Sequence, residues 1–424
     1  MFRTLKSRAL TGLAAAAAVA VLAGPAMAQD KKPIKIGFGQ SLTGFLSPNG
    51  KQALLGAKIW AEQTNKAGGL LGRPVELVYY DDKSSPAEVP GIYTKLLEVD
   101  KVDLVVSAYA TNQIAPAMPI VIRKGKTFIS LFGLDVNDKF KYPNYFSIIP
   151  TGQDTKESFT EGFFKVAAAQ NPKPQTVAFA YADAEFAQNA CEGARNNAKK
   201  AGLKIVYDKA YPPPPKTTDF APIVQAIKAA NADVVAVCAY PLDSVGIVQA
   251  AAESGLKPKL FGGALVGLQA TVFKDKLKGK LNGIVNYETW VPDKKQMYKG
   301  TEAFFKEYQA RAKAEGVDAL GYYLGGWGYT QMQVLGEAVK AAKSIDDKKV
   351  ADALRKGTFE TVMGSIKFGK KGEWAEGRMM AVQYHGITDS ADLETWRGMS
   401  YQTVVYPPSL QTGKVVYPYD PNQK

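Results

Sequence analysis

A single histidine, His385, bounds the chemistry open to this chain of 424 residues. Any Ser-His-Asp, Cys-His or histidine–metal arrangement has to recruit it, and no cysteine lies near it in sequence. Its place in a short β-type run near the C-terminus reads as a strand or surface histidine. The two cysteines, Cys191 and Cys238, lack the spacing of a metal site. They read equally well as one disulfide or as two buried thiols. The chain holds no G-x-S-x-G, no G-x-x-x-x-G-K-S/T, no H-E-x-x-H and no C-x-x-C. GQSLTG at 39–44 follows a β-type run but lacks the third glycine of a dinucleotide fingerprint. Asp81-Asp82 offers the nearest thing to an acid–base pair, yet it ends a β-type run, where turn chemistry accounts for it. The residues therefore argue against an enzyme and imply no metal and no cofactor.

Two loops carry groups better suited to holding a molecule than to transforming one. They are Ser41-Leu42-Thr43-Gly44 and Ala108-Tyr109-Ala110-Thr111-Asn112. Free hydroxyls and backbone N–H groups at a helix start suit a carboxylate, because that end of a helix is partially positive. The same spacing also fits Thr111 or Asn112 as a simple helix cap. Both loops follow strands, and open parallel sheets bind ligands at the carboxyl ends of their strands.

The elements that must position these loops alternate regularly. β-type runs at 34–38, 75–80, 102–107 and 127–131 are separated by amphipathic stretches at about 50–67, 86–100 and 113–125. In the first stretch Leu54, Leu55, Ile59 and Trp60 share a face, and Gly68-Gly69 stops it. A second series begins at 176–181 and continues through 203–207, 233–240 and 259–263, with helices between. Continuous apolar strands between helices mean a parallel sheet covered on both faces. The expected class is α/β, with two doubly wound parallel-sheet lobes. Two long helical stretches (297–314 and 320–342) and a β-rich segment (363–406) follow both series. Such a chain crosses between lobes more than once, which makes a hinge and a cleft that closes on a ligand.

The N-terminus reads as an export signal. Arg3, Lys6 and Arg8 precede an apolar run from Leu10 to Leu22, and Ala26-Met27-Ala28 supplies the small residues of a cleavage site after Ala28. Hydrophobic content of 46% describes an ordinary globular core. The net charge of +13 falls to +10 once the three signal cations are removed. Its lysines are dispersed rather than gathered in one tract, which fits a solvated basic surface and not a nucleic-acid stripe.

The signal, IKIGFGQSLTG, NGKQALLGAKIWAEQTNKAGGLLGRPVELVYYDDKSSP, VDLVVSAYATNQIAPAMPI, KTFISL, YFSIIPT and TVMGSIKFGKKGE together resemble the periplasmic leucine/isoleucine/valine-binding protein family. These are type I substrate-binding proteins of ABC transporters. The resemblance covers the mature chain except its tail, and it implies a periplasmic monomer that touches a membrane permease and its ATPase transiently. It also implies a three-strand hinge with crossings near Pro150, Gly283–Tyr287 and Thr361–Ser365. Lobe one would hold residues 33–149 plus 288–360, and lobe two 150–287 plus 361–424. In members that bind amino acids a hydroxyl of the third-strand loop holds the ligand carboxylate, and Thr111 matches it. Other positions depart. Phe132-Gly133-Leu134 lacks the family's second hydroxyl, Phe186 replaces a tyrosine, and Asn49 stands where a tyrosine is frequent. The acid that pairs the ligand ammonium should fall in Gly262-Gly263-Ala264-Leu265, which has no carboxylate. A buried ammonium without a partner costs several kcal/mol. The implied site is then Thr111 and Ala110 as the polar end, with Tyr109, Phe132, Leu134, Phe186, Tyr240, Asn49 and Ala264 around it. It suits an aromatic or hydrophobic organic acid. An amino acid served by Glu288 and a ligand-sensing receptor component are the alternatives.

Overall fold

The computed structural model describes residues 32–422, so the expected signal at 1–28 lies outside the described residues. The first sheet is built from β1 (Ile34–Gln40), β2 (Val75–Asp81), β3 (Leu104–Tyr109), β4 (Phe128–Leu131) and β5 (Tyr145–Ser147). All pairs are parallel, in the order β2-β1-β3-β4-β5. The second sheet takes β6 (Thr176–Ala182), β7 (Lys204–Tyr211), β8 (Val234–Ala239), β9 (Leu260–Leu265) and β10 (Val285–Glu288). A hairpin of β11 (Thr358–Thr361) and β12 (Gly364–Lys367) follows, and then β13 (Met380–Tyr384) and β14 (Gln402–Tyr406). The second sheet runs β14-β13-β10-β9-β8-β6-β7, with β13 and β14 joined antiparallel to its parallel body. The central strands β3, β8 and β9 are buried at every residue, as their unbroken apolar runs require when helices cover both faces.

Helix Ser47–Lys66 packs against helix Leu324–Ala342 at a very short separation. A Cβ on Gly56 would run into Gly325 O, and one on Gly328 into Ala53 O. Glycines at the crossing let the two backbones approach, so the late helices belong with the first sheet although they follow the second in sequence. Helix Asp347–Lys356 joins them there through Lys126 Nζ to Asp347 Oδ2 at 2.6 Å and Thr127 N–H to Asp347 Oδ1 at 2.7 Å.

The crossings differ in part from those implied by the sequence. The first runs through Pro150. The segment Gly283–Tyr287 is not a crossing, because Val285–Glu288 is a strand inside the second sheet; the chain leaves it at Thr289, whose hydroxyl accepts from Trp327 Nε1 at 3.0 Å. Thr361–Ser365 is a hairpin turn, with Thr361 paired to Gly364. That hairpin stays with the first sheet. Phe368 packs on Phe146 with centroids 5.2 Å apart, and Ser147 N–H bonds Gly372 O at 2.8 Å. The return comes near Arg378, whose N–H bonds Pro150 O at 2.7 Å. Residues 361–376 therefore sit with the first lobe. A glycine turn and a glycine crossing look alike in sequence, and only the pairing partner separates them.

Cys191, on helix Glu185–Lys200, and Cys238, on β8, form a disulfide with Cα atoms 5.8 Å apart. His385 follows β13, and its Nε2 lies 2.8 Å from Thr403 Oγ1. Among the described residues no helix is long and apolar enough to cross a membrane.

Candidate functional site

The carboxyl ends of β3 and β4 stop abruptly, and both do so on strained residues. Ala110 has φ of 82° and Phe132 φ of 64°, values that side chains with a Cβ adopt at a cost of about 1–3 kcal/mol each. The strain turns each strand sharply at the seam between the lobes. After Ala110 the chain enters a helical turn, where Gln113 and Ile114 N–H both return to Ala110 O at 2.9 and 3.0 Å. The N–H groups of Thr111 and Asn112 head that turn and have no acceptor among the described residues.

A narrow cavity, with about 10 Å³ of free space in the shut arrangement, lies at this seam. The first lobe contributes Tyr109, Ala110, Phe132, Ile149 and Tyr323 to its walls, and the second contributes Phe159, Phe186, Tyr240 and Val266. No wall residue carries a charge. Phe132 packs edge-on to Tyr323 at 5.7 Å, Phe159 to Phe186 at 5.4 Å and Phe186 to Tyr240 at 5.6 Å. Such offset and edge contacts are the favoured geometry of aromatic rings.

Polar groups close the seam around this lining. Tyr240 Oη donates to Asn112 Oδ1 at 2.6 Å, and Phe186 N–H reaches the same oxygen at 3.4 Å. Asn189 Nδ2 donates to Leu134 O at 3.0 Å, and Lys156 pairs with Asp135 at 2.9 Å. All four contacts join one lobe to the other, so the two lobes are shut. Deeper in, the Tyr287 and Tyr323 hydroxyls are 2.9 Å apart, and Tyr109 and Tyr323 hydroxyls 3.5 Å. Burial pushes Tyr109, Tyr240, Tyr287 and Tyr323 above the ordinary phenol range, which keeps all four protonated and able to donate.

Of the residues singled out from sequence, Tyr109, Ala110, Phe132, Phe186 and Tyr240 lie in the cavity wall. Thr111 lies just behind it, wholly buried, with Oγ1 accepting from Leu134 N–H at 3.0 Å. Leu134 is buried beside it. Asn49 is buried near the Tyr109 hydroxyl, and its side-chain amide has no hydrogen bond of ordinary geometry among the described residues. Ala264 is inside β9, paired with Cys238; Val266, two residues on and past the strand end, reaches the wall instead.

The hydroxyls of the first-strand loop are not free, contrary to expectation. Ser41 donates to Asp82 Oδ1 and Thr43 to Asp81 Oδ2, both at 2.6 Å, while Asp81 Oδ1 also takes Leu42 N–H at 2.9 Å. The acidic pair is thus a clamp that shapes this loop. Glu288 is buried away from the cavity wall, with no ion pair within 4 Å among the described residues; burial pushes its carboxyl up to about 7 and Lys274 down, against their longer-range attraction. Lys274 Nζ in turn donates to Tyr401 Oη at 2.6 Å. Sequence reasoning missed Ile149, Phe159, Val266 and Tyr323, which come from four distant segments. Only Tyr323, in a Tyr-Tyr pair heading a long helix, left a visible signal. Among the described residues no cluster of His, Cys, Asp and Glu could hold a metal ion.

The sequence profile of the family described as periplasmic binding protein matches residues 33–390. A leucine-, isoleucine-, valine-, threonine- and alanine-binding protein of Pseudomonas aeruginosa is 26% identical over 380 residues, which is 89% of this chain and 96% of that one. Among solved structures, a branched-chain amino-acid transporter substrate-binding protein of Streptococcus pneumoniae, in complex with isoleucine, has a TM-score of 0.71 at 21% identity. The alignment covers 89% of this chain and 100% of that one. A solute-binding protein of an ABC transporter from R. palustris, in complex with benzoate, also has a TM-score of 0.71, at 17% identity over 84% of this chain and 94% of that one. Both likenesses concern the fold. With most of its length matched and a cavity closed between two α/β lobes, the chain belongs to the periplasmic binding protein family.

Proposed function

We propose that this chain captures an aromatic or hydrophobic organic acid between its lobes and presents it to a permease driven by an ATPase. The observation that carries this reading is a wall of aromatic and aliphatic side chains with no charged group. An α-amino acid would bring an ammonium that no wall residue balances, and Glu288 lies outside the wall with its carboxyl pushed up to about 7 by burial. A carboxylate needs only donors. Neutral tyrosine hydroxyls and the N–H groups of Thr111 and Asn112 supply them without a buried cation. Export with cleavage after Ala28, and action as a monomer, belong to the same proposal.

A thermal-unfolding screen with leucine, other amino acids and benzoate derivatives tests it. A ligand at one hundred times its Kd stabilises by about 2.7 kcal/mol, so an aromatic acid should raise the midpoint clearly. A shift with leucine and none with the aromatic acids overturns the reading. Thr111→Pro, which removes the N–H donor at a first helical position that tolerates proline, should weaken the bound acid by roughly 1–3 kcal/mol, and unchanged affinity would remove that N–H from the anchor.

A further inference from the structure

A second narrow cavity, with about 10 Å³ of free space in the shut arrangement, lies behind the first, between helix Thr155–Ala168 and the second sheet. Phe159 lines both and is the one residue they share. The rear walls are apolar: Phe163 from the same helix, Gly263 from β9, the Tyr287 ring from β10, and Met379, Met380 and Ala381 at the start of β13. Ser158 supplies the one hydroxyl among them besides that of Tyr287. Tyr287 is tethered, because its hydroxyl meets Tyr323 at 2.9 Å. Phe159 has no polar tether. Its ring centroid lies 4.5 Å from that of Tyr287 and 5.4 Å from that of Phe186. Thioether side chains adapt their shape more readily than branched ones, so Met379 and Met380 make a yielding back wall.

We propose that Phe159 is a movable partition, and that the natural ligand carries an apolar tail which displaces this ring and enters the rear chamber. Phe159 then sets the length of ligand the protein accepts. The proposal rests on the organic-acid reading for the head of the ligand, and on the two cavities alone for its tail. The head stays at the Asn112–Tyr240 seam, and the tail runs along the second sheet toward Met379 and Met380. Because the rear chamber holds neither a charge nor an acceptor-rich surface, the tail is hydrocarbon, aryl or alkyl.

The test is calorimetric titration of the full mature chain with benzoate, phenylacetate, 3-phenylpropionate and 4-phenylbutyrate. A parallel arm uses the straight-chain 2-amino acids from norvaline to 2-aminooctanoate. Each methylene buried in the chamber should tighten binding about fourfold. Wild-type affinity should therefore rise at least tenfold along the series. Phe159→Ala should favour the longest member over the shortest by a further tenfold, with Phe159→Leu between. Met380→Phe, which fills the chamber, should flatten the dependence on length. An affinity independent of length in the wild type and in Phe159→Ala, with both proteins folded by circular dichroism, overturns the partition. If the amino acids bind and the aromatic acids do not, the organic-acid reading fails. The length preference within the amino-acid arm, and its response to Phe159→Ala and Met380→Phe, then decides the partition separately.

Discussion

Tyr240→Phe removes one oxygen from the seam and leaves the ring in place. The edge contacts of that ring with Phe186 at 5.6 Å and Phe45 at 5.8 Å need no hydroxyl, so the apolar wall survives. What is lost is the 2.6 Å bond to Asn112 Oδ1 across the lobes. The remaining donor, Phe186 N–H at 3.4 Å, is too long to replace it fully. Tyr240 is only 3% exposed in the shut arrangement, so water has little access to the orphaned acceptor. When the lobes separate, both groups meet water and the loss disappears. The whole penalty thus falls on closure, at roughly 1–2 kcal/mol, or a five- to thirtyfold rise in Kd. Calorimetric titration with the acid that stabilises the wild type most would read this directly, and the change should sit mainly in the dissociation rate. Asn112→Ala and the double variant complete a cycle with an expected coupling of about 1 kcal/mol. A Kd within twofold of wild type for Tyr240→Phe, or full additivity in the cycle, would refute the role of this bond in holding the lobes shut.

Three further outcomes follow from other parts of the fold. Burial pushes the Asp243 carboxyl, which accepts from Tyr211 Oη at 2.7 Å, up to about 7. Its folded-state pKa is above the unfolded value, so stability present at pH 4 is lost as pH rises toward 7. Relative to wild type, Asp243→Asn should gain roughly 2–4 kcal/mol between pH 4 and pH 8 in urea unfolding, and a flat difference would contradict the buried acid. Gly56→Ala should cost about 1–3 kcal/mol, because its methyl runs into the backbone of the facing helix at Gly325; an unchanged midpoint would contradict the close helix pair. Replacing Cys191 and Cys238 together by Ala should lower stability by about 2–4 kcal/mol. It should also weaken binding, since the disulfide ties the helix that begins near Phe186 to the strand that Tyr240 follows. A reductant titration of the wild type, followed by its unfolding midpoint, checks the first of these effects.

Much of the fold was legible because parallel strands covered on both faces must be written as unbroken apolar runs. The runs at 75–80 and 233–240 coincide with β2 and β8 to within a residue or so, and Gly68-Gly69 does follow the first helix. The aromatic character of the cleft was legible too, since Tyr109, Phe132, Phe186 and Tyr240 each end or follow a strand where such sheets meet ligands. Side-chain commitments were not. Ser41 and Thr43 look free until Asp81 and Asp82 are seen to hold them, and Glu288 looks available until it is found outside the cavity wall.

The sequence by itself determined an α/β chain of two strand-helix series whose strand-end loops carry aromatic and hydroxyl side chains. Tertiary structure alone decided which lobe the β11–β12 hairpin joins, whether the cysteines meet, and which residues complete the wall. The reason is physical. Strand identity is written locally in hydrophobic pattern, whereas a cavity exists only where segments as far apart as Tyr109, Phe159, Val266 and Tyr323 are packed against one another.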